Sequence, residues 1–193
     1  TDRPLRPLFP KGFKNETQVM ITVLQSDGEN MADVLAGVGA SAALMCSTIP
    51  WNGPIASVRI GRVNGNHIVN PTRTEMEDSD LELIVSGNDE SVVMVEGEAL
   101  CMSEKDMIHA LKEAHIKIKE IIELQNDLIS SLNIVKDEFI SPEPDTELTA
   151  AVDNFIQDKI NDVVKVRDKK ERSNSKDNLI NETLSYLEES YPE

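Results

Sequence analysis

The sequence contains few cysteines, few aromatic residues and no long apolar run. Among its 193 residues are two cysteines, and Phe, Trp and Tyr together make up 4%. Cys46 and Cys101 stand in apolar stretches without the spacing of a metal site, so both are predicted to be buried free thiols. Without a run of about 18 apolar residues or a charged start before an apolar stretch, neither a membrane-spanning helix nor a signal peptide is expected. A reducing location, the cytoplasm, fits this composition.

Positive charge is also scarce. The chain has 19 Lys and Arg residues against 35 Asp and Glu residues, which gives a net charge of -16. An acidic chain repels a phosphate backbone, so the composition excludes a nonspecific nucleic-acid binder and restricts any RNA contact to a local patch. The GxGxxG, P-loop and GxSxG motifs are absent as well, which removes the common nucleotide-binding and hydrolase templates.

The hydrophobic patterns predict an α+β fold in the first two thirds of the chain. The apolar, β-branched run at 18–25 predicts a strand buried on both faces, and 55–63 alternates like a half-exposed strand. Asn64-Gly65 predicts a tight hairpin, and Gly87-Asn88-Asp89 predicts a second one. The predicted strands are 18–25, 55–63, 67–69, 81–85 and 92–96.

Helical patterns come next. The stretch 31–47 is rich in small residues, which predicts a buried helix packed closely on a sheet. A long amphipathic helix is predicted from an N-cap at Ser103 to about residue 132. Beyond the proline-containing linker 141–144, helices are predicted at 145–166 and 174–187, joined by the charged run 167–172. The predicted domains are 1–133 and a small all-helical unit, 134–193.

The histidines and acids give no catalytic constellation. His67 lies in a predicted strand, whereas His109 and His115 are six positions apart on the long helix, so no pair is expected to have ligand geometry. The acids between 75 and 82 lack the spacing of a calcium loop and are predicted to form a solvated turn. No catalytic residue and no metal ligand is therefore assigned.

The opening segment is the local exception to the acidic charge. Arg3 and Arg6, with Lys11 and Lys14, surround a proline-stiffened turn. Guanidinium groups on a rigid support suit bidentate phosphate binding, but ion pairs with the many acids are an open alternative.

Three further residues are candidates for phosphate or base binding. Arg59 and Arg62, on the first hairpin, are weaker candidates for phosphate contact. Trp51 offers a ring on which a base can stack, but beside prolines it is expected to cover an edge of the core.

Five blocks in one order carry a family resemblance. The sequence resembles the first core domain of bacterial and organellar polynucleotide phosphorylases at TDRPLRPLFP, GASAAL, IPWNGPI, VNPT and MVEGE. The tail from about residue 132 resembles the all-helical linker domain of that family by position and composition. The resemblance implies a partial RNase PH-like fold, of the ribosomal protein S5 domain 2 type with a mixed sheet and helices, followed by a small helical domain.

The resemblance also implies a function and its cofactors. The family degrades RNA from the 3′ end by attack of inorganic phosphate, releases nucleoside diphosphates and also runs the reverse polymerisation. The resemblance implies two small ligands, a divalent cation, expected to be Mg²⁺, and inorganic phosphate. The implied partners are RNA, two further protomers of a homotrimer and degradosome proteins. The family's catalytic residues lie in a second core domain that this sequence lacks. Only Arg3 and Arg6 match positions that line a phosphate-binding cleft, so they are candidate phosphate or RNA ligands and not catalysts.

Three functional interpretations stay open. The chain is interpreted first as a fragment of such an enzyme, structural and inactive alone. The alternatives are a catalytically silent RNase PH-like subunit of a ring-shaped RNA-processing complex, and an acidic α/β interaction module. Because an RNase PH-like domain takes half of its sheet from residues upstream of Thr1, apolar surface is expected to need cover from elsewhere.

Overall fold

The computed structural model describes residues 1–191, and its centre is a four-stranded antiparallel sheet. The strands are β1 (Ala56–Val63), β2 (Asn66–Val69), β3 (Leu81–Gly87) and β4 (Val92–Ala99), in the order β2-β1-β3-β4. Both predicted hairpins are confirmed. Asn64 and Gly65 have positive φ values of 50° and 80°, as a tight turn of this kind requires, and they pair Val63 with Asn66 across β1 and β2.

Six α-helices accompany the sheet within the described residues. A short helix α1 (Asp2–Leu5) runs into a 3₁₀ turn (Arg6–Leu8), as the prolines of the opening segment allow. The other helices are α2 (Asp33–Met45), α3 (Arg73–Glu77), α4 (Glu104–Ser130), α5 (Thr146–Lys165) and α6 (Lys169–Ser190). The predicted N-cap of α4 is confirmed, because the Ser103 hydroxyl accepts a hydrogen bond from the Asp106 amide at 3.2 Å.

The main core lies between the sheet and α4. Val58 pairs with Val85 and Ile60 with Leu83, so these side chains share one face of the sheet. They pack with a row of residues spaced four positions apart along α4: Ala110, Ala114, Ile118 and Ile122. All of these side chains are buried, which explains the apolar stripe of the long helix.

The second face of β1 is covered by α2, so β1 is buried on both sides and the half-exposed prediction is wrong. The ideal Cβ position at Gly37 lies 2.8 Å from the Ser57 hydroxyl oxygen, and Ser57 in turn bonds the Ser86 hydroxyl at 2.7 Å. The alternation in β1 came from polar residues that are satisfied inside the fold. The predicted close packing of a small-residue helix on the sheet is confirmed at Gly37.

The prediction of a buried strand at 18–25 is wrong. This segment belongs to no strand among the described residues, and its apolar side chains are exposed, with Met20 at 80% and Leu24 at 92%. Apolar, β-branched composition favours a strand only where another strand offers hydrogen-bonding partners. No strand of residues 1–191 pairs with this segment.

Two cysteine predictions also need correction. Cys46 is partly buried. Cys101 is exposed because it lies in the loop after β4, where its φ is 52°. No disulfide joins the two thiols. Each helix within residues 1–191 is too short or too polar to cross a membrane.

The chain divides into two compact units, Thr1–Ser141 and Pro142–Glu193. The division lies beyond the predicted one at 133 because the intervening residues bind the first unit. The Lys136 ammonium donates to the carbonyl oxygens of Leu44 and Ser47 at 2.7 and 2.9 Å, where it satisfies the C-terminal end of α2. Partial burial lowers the pKa of Lys136.

The second unit is a helical hairpin. Phe155 of α5 stacks on Tyr186 of α6 at 4.4 Å between ring centroids, and the Lys159 ammonium lies 3.9 Å from the centre of the Phe155 ring. The charged run 167–172 is predicted to be a connection, but most of it belongs to α6. The Asp168 carboxylate caps this helix by accepting from the amides of Lys170 and Glu171.

Candidate functional site

The opening segment is fixed to the first unit by backbone and indole hydrogen bonds. The Trp51 indole Nε1 donates to the Leu5 carbonyl oxygen at 2.9 Å, and the Asn52 amide donates to the Leu8 carbonyl oxygen at the same distance. Trp51 is 3% exposed and packs in a small core with four other side chains: Leu5, Ala40, Leu44 and Ile55. The prediction that Trp51 covers a core edge is therefore confirmed.

A second pair of buried hydrogen bonds holds the turn after Trp51. The Ser41 hydroxyl accepts from the Ile55 amide at 2.9 Å, and the Gln125 amide nitrogen donates to the Ile55 carbonyl oxygen at 2.8 Å. The blocks TDRPLRPLFP, GASAAL and IPWNGPI thus meet in one core. Their residues have structural roles in holding the opening segment against α2 and α4.

The two candidate anion ligands point to different neighbours. Arg3 binds Glu96 of β4 through Nη1 and Oε2 at 2.9 Å, while Arg6 binds both carboxylate oxygens of Asp2, one turn earlier. The two guanidinium groups therefore do not meet in one pocket. Both side chains are well exposed, at 67% and 76%, so each ion pair is weak and each arginine can exchange its carboxylate for another anion.

Arg6 lines the larger of the two clefts at this segment. This cleft has a volume of about 660 Å³ and places Arg6 and Lys14 near the phenyl rings of Phe9 and Phe13. Asp2 and Glu16 also line it, so its charges are balanced. Arg3 lines a separate cleft of about 250 Å³, beside Asp33 and Glu96.

Arg59 and Arg62 bind acids of the first unit. Arg59 is buried and pairs with Asp33 at 2.5 Å, with Glu82 3.3 Å away. Arg62 donates two hydrogen bonds to the Asp80 carboxylate, from Nε and Nη2, each at 2.7 Å. This hydrogen bonding lowers the pKa of Asp80 and raises that of Arg62. Both arginines link strands to their neighbours and are not free for phosphate.

The acidic turn is partly a helix with a capping box. The Thr72 hydroxyl accepts from the Glu75 amide at 3.2 Å, and the Glu75 carboxylate accepts from the Thr72 amide at 2.8 Å. The Thr72 amide and the Thr72 hydroxyl both donate to the Glu75 carboxylate, and these two bonds lower the pKa of Glu75. Since Glu75 caps α3 and Asp80 binds Arg62, two acids of this stretch have local structural partners.

The sequence predicts that no pair of histidines has ligand geometry, but the structure places His67 beside His109. The rings of His67 and His109 are 5.3 Å apart between centroids, and Glu113 lies beside both. The His67 Nδ1 is 2.6 Å from Glu113 Oε2, and the His109 Nε2 is 3.8 Å from Glu113 Oε1. The spacing of His109 and Glu113 by four positions on a predicted helix was visible in the sequence, but the approach of β2 to this face of α4 was not.

Two family models match the first unit in sequence order. Residues 1–50 match the 3′ exoribonuclease family, domain 1, and residues 53–117 match the 3′ exoribonuclease family, domain 2. The boundary between the two matches falls at the turn IPWNGPI, whose hydrogen bonds join the opening segment to α2 and α4.

Similar proteins carry one name. The chain is 45% identical to a polyribonucleotide nucleotidyltransferase of Geotalea uraniireducens, over 96% of this chain and 27% of the relative. It is 46% identical to that of Syntrophotalea carbinolica over 89% of the chain and 24% of the relative, and 41% identical to that of Thermus thermophilus over 100% and 28%. The chain therefore spans about a quarter of the length of the curated relatives it matches.

Proposed function

Because the chain belongs to the 3′ exoribonuclease family and corresponds to a fragment of its relatives, we propose that it is a structural part of a phosphate-dependent 3′-to-5′ exoribonuclease. In this proposal the whole enzyme degrades RNA to nucleoside diphosphates and also runs the reverse polymerisation. The 193 residues alone are inactive.

One observation carries the proposal. Identity of 40–46% extends over nearly the whole chain in relatives named polyribonucleotide nucleotidyltransferase, and it includes the helical second unit as well as the matched family domains. A chance likeness of one small domain does not reach across two compact units. The relatives' name describes transfer of a nucleotidyl group, which is the chemistry of phosphorolysis and its reversal.

The role of the chain follows from its contacts. The blocks that carry the family resemblance are occupied with internal hydrogen bonds, as at Trp51 and Ser41, and Arg59 and Arg62 are bound to acids. Among the exposed cations, we propose Arg3 and Arg6 as candidate phosphate or RNA ligands. The residues that perform the reaction are proposed to lie outside this chain.

Cofactors and partners belong to the same proposal. Phosphorolysis brings together inorganic phosphate and a phosphodiester, and a divalent cation such as Mg²⁺ stabilises the resulting negative charge. RNA is the proposed substrate, and a cytoplasmic homotrimer with degradosome contacts is the proposed assembly. The exposed apolar segment 18–25 supports cover by further protein, since Met20 and Leu24 are solvent-exposed.

A catalytically silent subunit is the second candidate. It is favoured by the same internal ion pairs, because a subunit that only builds a ring has no need of free cations. An assay of the full-length protein encoded by the same reading frame separates the two. With 3′-labelled RNA and inorganic phosphate, the proposed enzyme releases nucleoside diphosphates and releases nothing without phosphate. Absence of release under both conditions supports the silent subunit, and release of monophosphates contradicts phosphorolysis.

A further inference from the structure

We propose that His67, His109 and Glu113 form a binding site for a divalent transition-metal ion of the Zn²⁺ class. The site joins β2 to α4 and is separate from the Mg²⁺ proposed for the reaction. It rests on the geometry of the three side chains and is independent of the proposed function.

The three donor groups converge on one small surface patch. One ligand atom of each residue lies within 4.8 Å of the other two. His109 and Glu113 are one turn apart on α4 and so project from the same face of the helix, and His67 approaches them from β2. Three converging donors leave a fourth position open to water.

The distances are close to those of a metal-bound set. Zinc binds imidazole nitrogen and carboxylate oxygen at about 2.0 to 2.2 Å, so neighbouring ligand atoms of a tetrahedral ion are roughly 3.3 Å apart. Here His67 Nδ1 lies 2.6 Å from Glu113 Oε2, and His109 Nε2 lies 3.8 Å from the other oxygen of that carboxylate, Oε1. The first is a direct hydrogen bond, which an ion between the two groups replaces, and the second closes by a small movement.

The two ligands on α4 are exposed enough to move toward an ion, whereas the ligand on β2 is buried and held in place. The His67 side chain is 9% exposed, so its ring is held in place by its surroundings. His109 is 66% exposed and Glu113 is 36% exposed, so their rotamers are free to close on an ion. A fixed imidazole with two adjustable ligands is partly preorganised and still open to solvent.

The ligand types select the metal. Two imidazoles and one carboxylate suit Zn²⁺, Ni²⁺, Cu²⁺ and Fe²⁺, whereas Mg²⁺ prefers oxygen ligands and retains its waters. Occupation of the site would fix an edge strand, because β2 ends the sheet and pairs with β1 alone in the part of the chain that the structure describes. The expected consequence is slower exchange of the β2 amides when the metal is bound.

The test uses the full-length protein that contains this chain, freed of metal with a chelator. Cys101 is changed to Ser in every protein compared, including the reference called wild type below, because an exposed thiol can capture the ion. Zn²⁺ affinity is measured by competition with a chromophoric chelator, and Co²⁺ is added to record the ligand-field absorption. Hydrogen exchange of residues 66–69 is followed with and without Zn²⁺.

Two substitutions on α4 form a matched pair. His109→Ala removes an exposed ligand with little structural consequence, and it is expected to weaken Zn²⁺ binding at least about tenfold, since even partners behind the ligands contribute 10- to 100-fold. His115→Ala is the control, because its Nε2 instead lies 3.0 Å from the Asn88 carbonyl oxygen. Glu113→Gln should weaken binding as His109→Ala does.

The proposal is supported if one Zn²⁺ per chain is lost in the His109 and Glu113 variants and kept in the His115 variant, together with the slower exchange of β2. Equal Zn²⁺ binding in wild type and His109→Ala overturns it, as does the absence of any binding by the wild type. No RNA or phosphate enters this experiment, so its failure leaves the proposed function intact.

Discussion

Trp51 donates the hydrogen of its indole Nε1 to the Leu5 carbonyl oxygen, 2.9 Å away in a buried core. This bond joins residues that are 46 positions apart in the chain. A buried carbonyl that loses its donor carries a desolvation cost of about 1 to 3 kcal/mol. The opening segment, with Arg3 and Arg6 on either side of Leu5, is therefore positioned by a residue that has no direct role in binding.

Trp51→Phe removes this donor and retains an aromatic ring. We expect the local free energy of opening of the segment 1–9 to fall by about 1 to 3 kcal/mol, because the Leu5 carbonyl stays buried without a partner. Hydrogen exchange of the full-length protein measures this, since it reports local opening. Unchanged protection of residues 1–9 would show that the ring alone holds the segment.

The two glycines of α2 should respond in opposite directions to the same substitution. Gly37→Ala places a methyl group 2.8 Å from the Ser57 hydroxyl oxygen and should destabilise α2. Gly39→Ala meets nothing within 4 Å and should stabilise the helix by up to about 1 kcal/mol through propensity. Exchange protection of the α2 amides in the full-length protein gives both values. Equal effects of the two variants would contradict the close packing of α2 on β1.

Arg3 should bind anions more tightly once its internal partner is removed. Glu96→Gln removes the carboxylate at 2.9 Å and should strengthen sulfate or phosphate binding, whereas Arg3→Gln should weaken it. Exposed ion pairs are weak, so we expect changes of roughly two- to fivefold in each direction. Titration of the full-length protein with sulfate at constant ionic strength measures them. The same sulfate affinity in both variants would show that Arg3 does not bind the anion.

The isolated 193-residue chain should associate. The apolar side chains of the segment 18–25 are exposed. Within residues 1–191, β4 is an edge of the sheet without a second partner strand, and its Val92 and Val95 are also exposed. Sedimentation velocity should show oligomers or aggregates. The double variant Met20→Glu, Leu24→Glu should reduce them, because it places charge on the two most exposed apolar positions of the segment. A compact, cooperatively melting wild-type monomer would be contrary evidence.

Local signals in the sequence were sufficient for the hairpins and the long helix. Asn64-Gly65 predicted the turn between β1 and β2, and Ser103 predicted the start of α4. The two wrong predictions of strand burial share one cause: whether a segment is buried depends on which other elements pack against it. The apolar segment 18–25 lacks a partner strand among residues 1–191, and β1 is covered on its polar face by α2.

The candidate sites illustrate the same limit. The five family blocks identified the opening arginines, but the partner of Arg3 lies 93 positions away on β4 and has no local signature. His67 and Glu113 are 46 positions apart and meet only because β2 lies against α4. Glu113 could be related to His109 by helical spacing, whereas His67 required the tertiary structure.

We propose, as our central claim, that these 193 residues are a structural part of a phosphorolytic exoribonuclease whose catalytic residues lie outside them. Its most direct test measures phosphate-dependent release of ADP from poly(A) by the purified chain, beside the full-length protein as the positive control. We expect release by the full-length protein and none by the chain. Phosphate-dependent ADP release by a nuclease-free preparation of the chain alone would contradict the claim, as would a full-length protein that releases no ADP.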